Sequence, residues 1–172
     1  EKMLAKSSEY WQAFEYLGGR QGERIGEIYN AKKTDVNFEL NKIFIQPNPD
    51  TGWVPKDYEC RWVPLHARTK AFFLRWFQIQ TKSEYIVADP ATGWRPASER
   101  AMAVEYKKQV LKKIGLKGSA HTLRHTFGAH CVMRGVSLRK LKEWMGHASI
   151  KTTMIYAHLS PEEQSSGMEL IP

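Results

Sequence analysis

HTLRHTFGAHCVMRGVSLRKLKEWMGHASIKTTMIYAHL, residues 121–159, decides how this chain is read. At 100° per residue, His121, Arg124, His125 and Gly128 fall within an arc of about 100° on a helix, so His121 and Arg124 can address one ligand together. Gly128 lies on the same side and leaves room for close approach. The apolar-periodic run Leu138, Leu141, Trp144, Met145 ends at Gly146, which has the position of a helix stop and puts His147 in a turn. Ser149 then caps a second, short helix that carries Tyr156. One unbroken helix would hold His147 and Tyr156 about 13 Å apart, too far to converge on one small group. A break at Gly146 removes that obstacle.

The order of these residues resembles the C-terminal signature of the phage integrase, or tyrosine recombinase, family. Its H-x-x-R box matches His121 to Arg124, its L-G-H box matches Met145, Gly146 and His147, and its T-x-x-Y-x-H box matches Thr153 to His158. The resemblance implies a further arginine in T-G-x-R-x-G-E-L, followed by an aspartate near the start of a β-sheet. Arg24 in GERIGEI, residues 22–28, fits best, with Asp35 and Val36 after it. Gln21 and Glu23 depart from the pattern, and Arg20 in GGRQGE is the alternative. The resemblance also implies a lysine on a β-hairpin, five residues ahead of the arginine in R-x-V-P-L. Arg61 to Leu65 supply that pattern and Lys56 the lysine.

The implied fold class is α+β, a mostly helical catalytic domain with a small three-stranded antiparallel sheet. Residues 41–46 and 58–65 read as strands rich in β-branched and aromatic side chains, joined by the turn-prone stretch 47–54, within a meander over residues 35–65. Helices are expected over residues 8–17, 22–31, 68–81 and 97–114, ahead of those that carry the signature. The 172 residues suffice for one domain with a real core. The whole chain, 1–172, is expected to be a catalytic domain whose N-terminal DNA-clamping domain is absent.

A formal charge of +8 and a pI near 9.5 suit a polyanionic partner. Residues 101–172 hold 11 Lys or Arg against 5 Asp or Glu, so most of the excess lies with the signature. Simple solvation explains such charge equally well when no motif accompanies it. Cys60 and Cys131 lie too far apart in sequence to suggest a disulfide framework or a zinc module, and they fit a reducing compartment. No signal peptide or apolar run of membrane length appears, and the expected location is the cytoplasm.

The chemistry follows from the groups. Two arginines can neutralise the non-bridging oxygens of a phosphodiester with always-charged planar donors. Tyr156 would attack phosphorus, and His147 fits a donor to the charge that builds there. His121 and Lys56 are the proton-transfer candidates, His121 for the phenol and Lys56 for the departing 5′ oxygen, or the reverse. No cofactor or metal is expected. The product would be a 3′-phosphotyrosyl bond to double-stranded DNA that a 5′ hydroxyl can reverse without ATP. The resemblance implies a site-specific recombinase or integrase of a mobile element, monomeric when free and tetrameric on synapsed DNA. A type IB topoisomerase shares the tyrosine chemistry and is the alternative.

Each residue also has a plainer reading. Tyr156 alone is an ordinary half-buried helix tyrosine. Arg24 and Glu27 alone are a surface helix pair. His121 and His125 would suit a zincin helix, but Thr122 stands where its glutamate must be. His125, His130 and His158 read as structural.

Overall fold

The computed structural model describes residues 4–56 and 59–161. Helix α1 (Glu9–Arg20) and helix α2 (Ile25–Asn30) precede an antiparallel sheet of β1 (Val36–Asn37), β2 (Lys42–Ile45) and β3 (Arg61–Pro64) in the order β1-β2-β3. Helix α3 (Ala67–Ile79) and helix α4 (Glu99–Tyr106) follow, the latter continuing as a π turn over Lys107–Leu111. Helices α5 (Ala120–Val132), α6 (Leu138–Met145) and α7 (Ile150–Thr153) come last, and a 3₁₀ segment, Met154–Leu159, extends α7. The expected α+β class with a small three-stranded meander is observed.

The local reasons are plain in the sequence. On α3, Phe72, Phe73 and Trp76 recur at helical spacing and are buried, while Leu74 and Arg75 face out. Trp76 reaches across to donate its indole N–H to the carbonyl of Ile86, 2.8 Å away. On the sheet, Ile43, Ile45, Val63 and Leu65 alternate inward. Phe44 and Trp62 pair across the outer face with ring centroids 4.6 Å apart. Asp35 fixes the entry to β1, accepting from the Lys32 backbone N–H at 2.7 Å and from the Gln46 amide at 2.6 Å.

The main core gathers Trp11, Phe14, Leu17, Ile28, Ile43, Phe73, Trp76 and Tyr106. Each fully buried side chain of this size contributes roughly 1.5–3 kcal/mol. A second cluster holds Phe127, Val132, Leu141, Met145 and Tyr156. Helix α5 joins the two, with Leu123 in the first and Phe127 in the second, and Gly18 lets α1 close on it at Leu123. The element boundaries shift from expectation by a few residues, and two of the shifts bear on the site. The α2 helix starts at Ile25 rather than at residue 22, since Gly22 takes φ +72° and Arg24 is extended. Strand β3 starts at Arg61 rather than at residue 58, which lies outside the described residues.

Gly22 takes a backbone conformation that an L side chain rarely adopts, and a Cβ there would stand 2.3 Å from the Phe127 ring. The turn it makes buries Glu23, 1% exposed, with neither carboxylate oxygen hydrogen-bonded. Burial, and then the negative charge of Glu27, hold the Glu23 carboxyl well above its usual range. Above pH ~4.5 an unfolded chain therefore releases a proton that the folded chain keeps, and stability falls as pH rises through that window. Each pH unit within it costs roughly 1.4 kcal/mol. Glu23→Met should match the native melting temperature most closely near pH 4.5 and exceed it by a growing margin as pH rises from there. Parallel melting curves across that range would refute the account.

Candidate active site

The C-terminus of α6 is the frame on which the site is built. Gly146 takes the left-handed conformation (φ 59°, ψ 49°), its N–H returns to the Glu143 carbonyl, and the N–H of His147 returns to that of Lys142. This is a Schellman ending, and it leaves the next carbonyls of the helix without backbone donors. Three arginines supply them. Arg61 Nε donates to the Trp144 carbonyl at 2.9 Å, Arg124 Nη2 to that of Met145 at 2.5 Å, and Arg24 Nη2 to that of Gly146 at 2.5 Å. The negative end of the helix dipole favours the cations gathered there.

Glu27 holds the same arginines from the other side. Arg61 grips it with two donors, Nη1 to Oε1 at 3.0 Å and Nη2 to Oε2 at 2.8 Å, while Arg24 Nη1 reaches Oε1 at 3.0 Å. Arg124 Nη1 stands 3.9 Å from Oε2 and donates to the Gly22 carbonyl. Glu27 is 3% exposed, so the reading of Arg24 and Glu27 as a surface pair is wrong. Burial pushes the Glu27 carboxyl up, but Arg61 and Arg24 outweigh it and hold the group below its usual range. Burial, then Arg24, brings Arg124 down to about 10, which leaves it cationic at neutral pH.

His147 leaves the frame buried, and its Nδ1 lies 2.9 Å from the Thr153 hydroxyl. Burial, followed by the charges of Arg124, Arg24 and Arg61, brings its imidazole down to about 4, so the ring is neutral at pH 7. Ser149 caps α7 as expected, accepting from the Lys151 N–H at 3.2 Å. The turn that follows buries Tyr156, 5% exposed, against Gly128 of α5. A Cβ at Gly128 would stand 2.6 Å from the phenol ring, so the absence of a side chain there is what admits the tyrosine. Burial raises the phenol above its usual range and Arg124 partly offsets this.

The structure thus brings Arg24, Arg124, His147 and Tyr156 into one electrostatic neighbourhood. Arg20 belongs elsewhere, in a groove with His130 and Arg134. Lys56 is exposed on the connection between β2 and β3, and no hydrogen bond or ion pair among the described residues engages it. His121 lies at the start of α5 with its imidazole lowered by burial, then by His125 and Arg124. Its ring stands edge-on to His125, centroids 4.6 Å apart. The group on the phenol is His125, whose Nδ1 lies 2.8 Å from Tyr156 Oη. The sequence alone reads His125 as structural, although it shares the stripe of His121 and Gly128. His158 is exposed. Among the described residues, no group of three or more His, Cys, Asp or Glu is arranged to hold a metal ion, and no helix is long and apolar enough to cross a membrane.

Removing one partner from a buried ion network leaves the other charges uncompensated and costs about 3–5 kcal/mol. Glu27→Gln should lose stability on that scale in urea unfolding, more than Glu9→Gln, whose partner Arg75 lies on the surface. Equal effects of the two substitutions would contradict the role given to Glu27.

Over residues 6–163 the sequence matches the phage integrase family. The tyrosine recombinase XerA of Pyrococcus horikoshii is 29% identical over 150 residues, covering 86% of this chain and 50% of that protein. A putative integrase of Pseudomonas phage Pf1 is 52% identical over 52 residues, 30% of this chain and 16% of that one. A crystal structure of XerA recombinase has a TM-score of 0.73 at 22% identity, covering 98% of this chain and 61% of that one. The Tn1549 transposon integrase, in complex with circular intermediate DNA, gives 0.71 at 22% identity over 99% and 63%. The chain spans about half the length of the curated relatives it matches over most of its own. With its family signature over residues 121–158 carried by the fold these structures share, the chain belongs to the phage integrase family.

Proposed function

We propose that this chain is the catalytic part of a site-specific DNA recombinase that cleaves and rejoins strands through a 3′-phosphotyrosyl intermediate. The observation that carries the reading is the placement of the Tyr156 phenol beside buried Arg124 and, joined to it through one carboxylate that only partly neutralises them, half-buried Arg24 and Arg61. Such a cluster suits a phosphodiester. Arg24 and Arg124 are anchored through some of their N–H groups, and the remaining donors face the non-bridging oxygens. Held in this way, they lose little freedom when charge builds on phosphorus.

His147 is neutral because it is buried and, after that, because its surroundings are cationic. With the Thr153 hydroxyl donating to Nδ1, the ring keeps its proton on Nε2 and presents a donor to the developing charge. Each preorganised donor of this kind is worth about 10²–10³ in rate. Lys56, on its exposed connection, protonates the departing 5′ oxygen. Because one phosphoester replaces another, the energy of the bond is kept and a second 5′ hydroxyl can reverse the step. Relatives in the same fold have been solved on DNA, the Tn1549 integrase with a circular intermediate and XerH with its difH substrate. Two duplexes held together by four copies of the chain would complete an exchange.

The test is a pool of nicked duplexes with randomised sequence around the nick. Native protein should form adducts that survive SDS in the presence of EDTA, and Tyr156→Phe should form none. An adduct in the phenylalanine variant, or one that needs a divalent metal, would overturn the assignment. On the duplex so recovered, the synapsed complex should have the mass of four chains and two duplexes by light scattering. One chain on one duplex at every concentration would exclude the tetramer.

A further inference from the structure

We propose that His125 takes the proton of Tyr156 as the phenol attacks phosphorus, an inference that rests on the strand-transfer reading above. His125 Nδ1 lies 2.8 Å from the phenol oxygen, within the range for direct proton transfer. His121, the acceptor suggested by sequence, has no hydrogen bond to the phenol among the described residues. Its ring meets that of His125 instead. The phenol needs such an acceptor, because burial raises it above an already weakly acidic starting point.

Geometry fixes the pair. Gly128, one turn beyond His125 on α5, receives the phenol ring, so the oxygen cannot swing away without leaving the pocket. His125 is exposed on its other side, which gives the transferred proton a path to solvent. The groups around the pair are His121 and Arg124 on α5 and Arg24 just ahead of α2, and together with burial the cationic ones hold the His121 imidazole below its usual range.

The step balances. The Oη–H bond of Tyr156 breaks and its proton bonds to Nδ1 of a neutral His125. The freed oxygen pair forms the bond to phosphorus, the bond from phosphorus to the 5′ oxygen breaks, and that oxygen takes a proton from Lys56. In the return step the 5′ hydroxyl attacks as its proton passes back to Lys56, the bond from phosphorus to the Tyr156 oxygen breaks, and His125 gives its proton back to the phenolate.

The experiment uses a nicked duplex recovered from the randomised pool and follows adduct formation from pH 6 to 9, with and without added imidazole. If native protein forms no adduct on any duplex, the strand-transfer reading fails and takes this inference with it. If native protein reacts and Tyr156→Phe does not, the His125 variants decide alone. His125→Ala should be about 10²–10⁴-fold slower near pH 7, recover by about tenfold per pH unit as hydroxide takes over, and regain part of its rate with imidazole. His125→Asn keeps a polar group near the phenol without basicity and should be equally slow. His121→Ala should keep the native pH profile. A native-like rate for His125→Ala, a loss that is the same at every pH and unmoved by imidazole, or the imidazole-sensitive loss appearing in His121→Ala instead would each overturn the proposal.

Discussion

Three consecutive carbonyls at the end of α6 carry the organisation of this molecule. Left open by the Schellman turn at Gly146, they are taken in order by Arg61 from the sheet, Arg124 from α5 and Arg24 from the start of α2. A helix end that would otherwise need water becomes the point at which three separate parts of the chain are tied. Glu27 makes this tolerable, since three guanidiniums in a poorly hydrated space would otherwise repel one another. Gly146 is needed twice over. Its left-handed backbone ends the helix, and a Cβ there would stand 2.6 Å from the Arg61 guanidinium.

The tyrosine depends on the same frame from the opposite side. The turn after α6 delivers His147 directly, and Thr153 then closes a short loop back onto it. That loop sets where the 3₁₀ turn carrying Tyr156 meets α5, and Gly128 sets how closely. Tyr156, the neutral histidine and the arginines are thus positioned by one helix ending and one helix face. Small errors in either would be felt at the phenol, because the second core cluster packs Tyr156 with Phe127, Leu141 and Met145.

Much of this was legible in the sequence. The stop at Gly146, the cap at Ser149, the stripe of His121, His125 and Gly128, and the alternation of the strands are short-range signals read within one or two turns of chain. The preference for Arg24 over Arg20 comes from the spacing of a family motif, and of the two it is Arg24 that meets Glu27 and the end of α6. What escaped reading is long-range. Nothing near Glu27 announces that it will meet Arg61, 34 residues on, nor does anything near Arg24 point to a carbonyl 122 residues away. His125 escaped for another reason. It lay on the right stripe, but periodicity shows which side chains share a face and not which of two neighbouring imidazoles a phenol from another helix will reach. Lys56 had a motif and a strand context, yet its connection is exposed and no bond among the described residues holds it in place.

Charge accounting explains why such a frame would favour a reacting phosphodiester over a resting one. Arg24, Arg61 and Arg124 bring three positive charges, Glu27 removes one, and the helix end contributes about half a negative charge. The remaining balance, between one and two positive charges, exceeds the single charge of a ground-state phosphodiester and approaches that of a pentavalent phosphorane. An environment matched to the second state stabilises it more than the first, which is the condition for accelerating the chemical step rather than merely binding. Burial, with the same excess behind it, keeps His147 neutral, and at the phenol burial outweighs the pull of Arg124 toward ionisation. A tyrosine attacking from this site would therefore depend on a proton acceptor within reach.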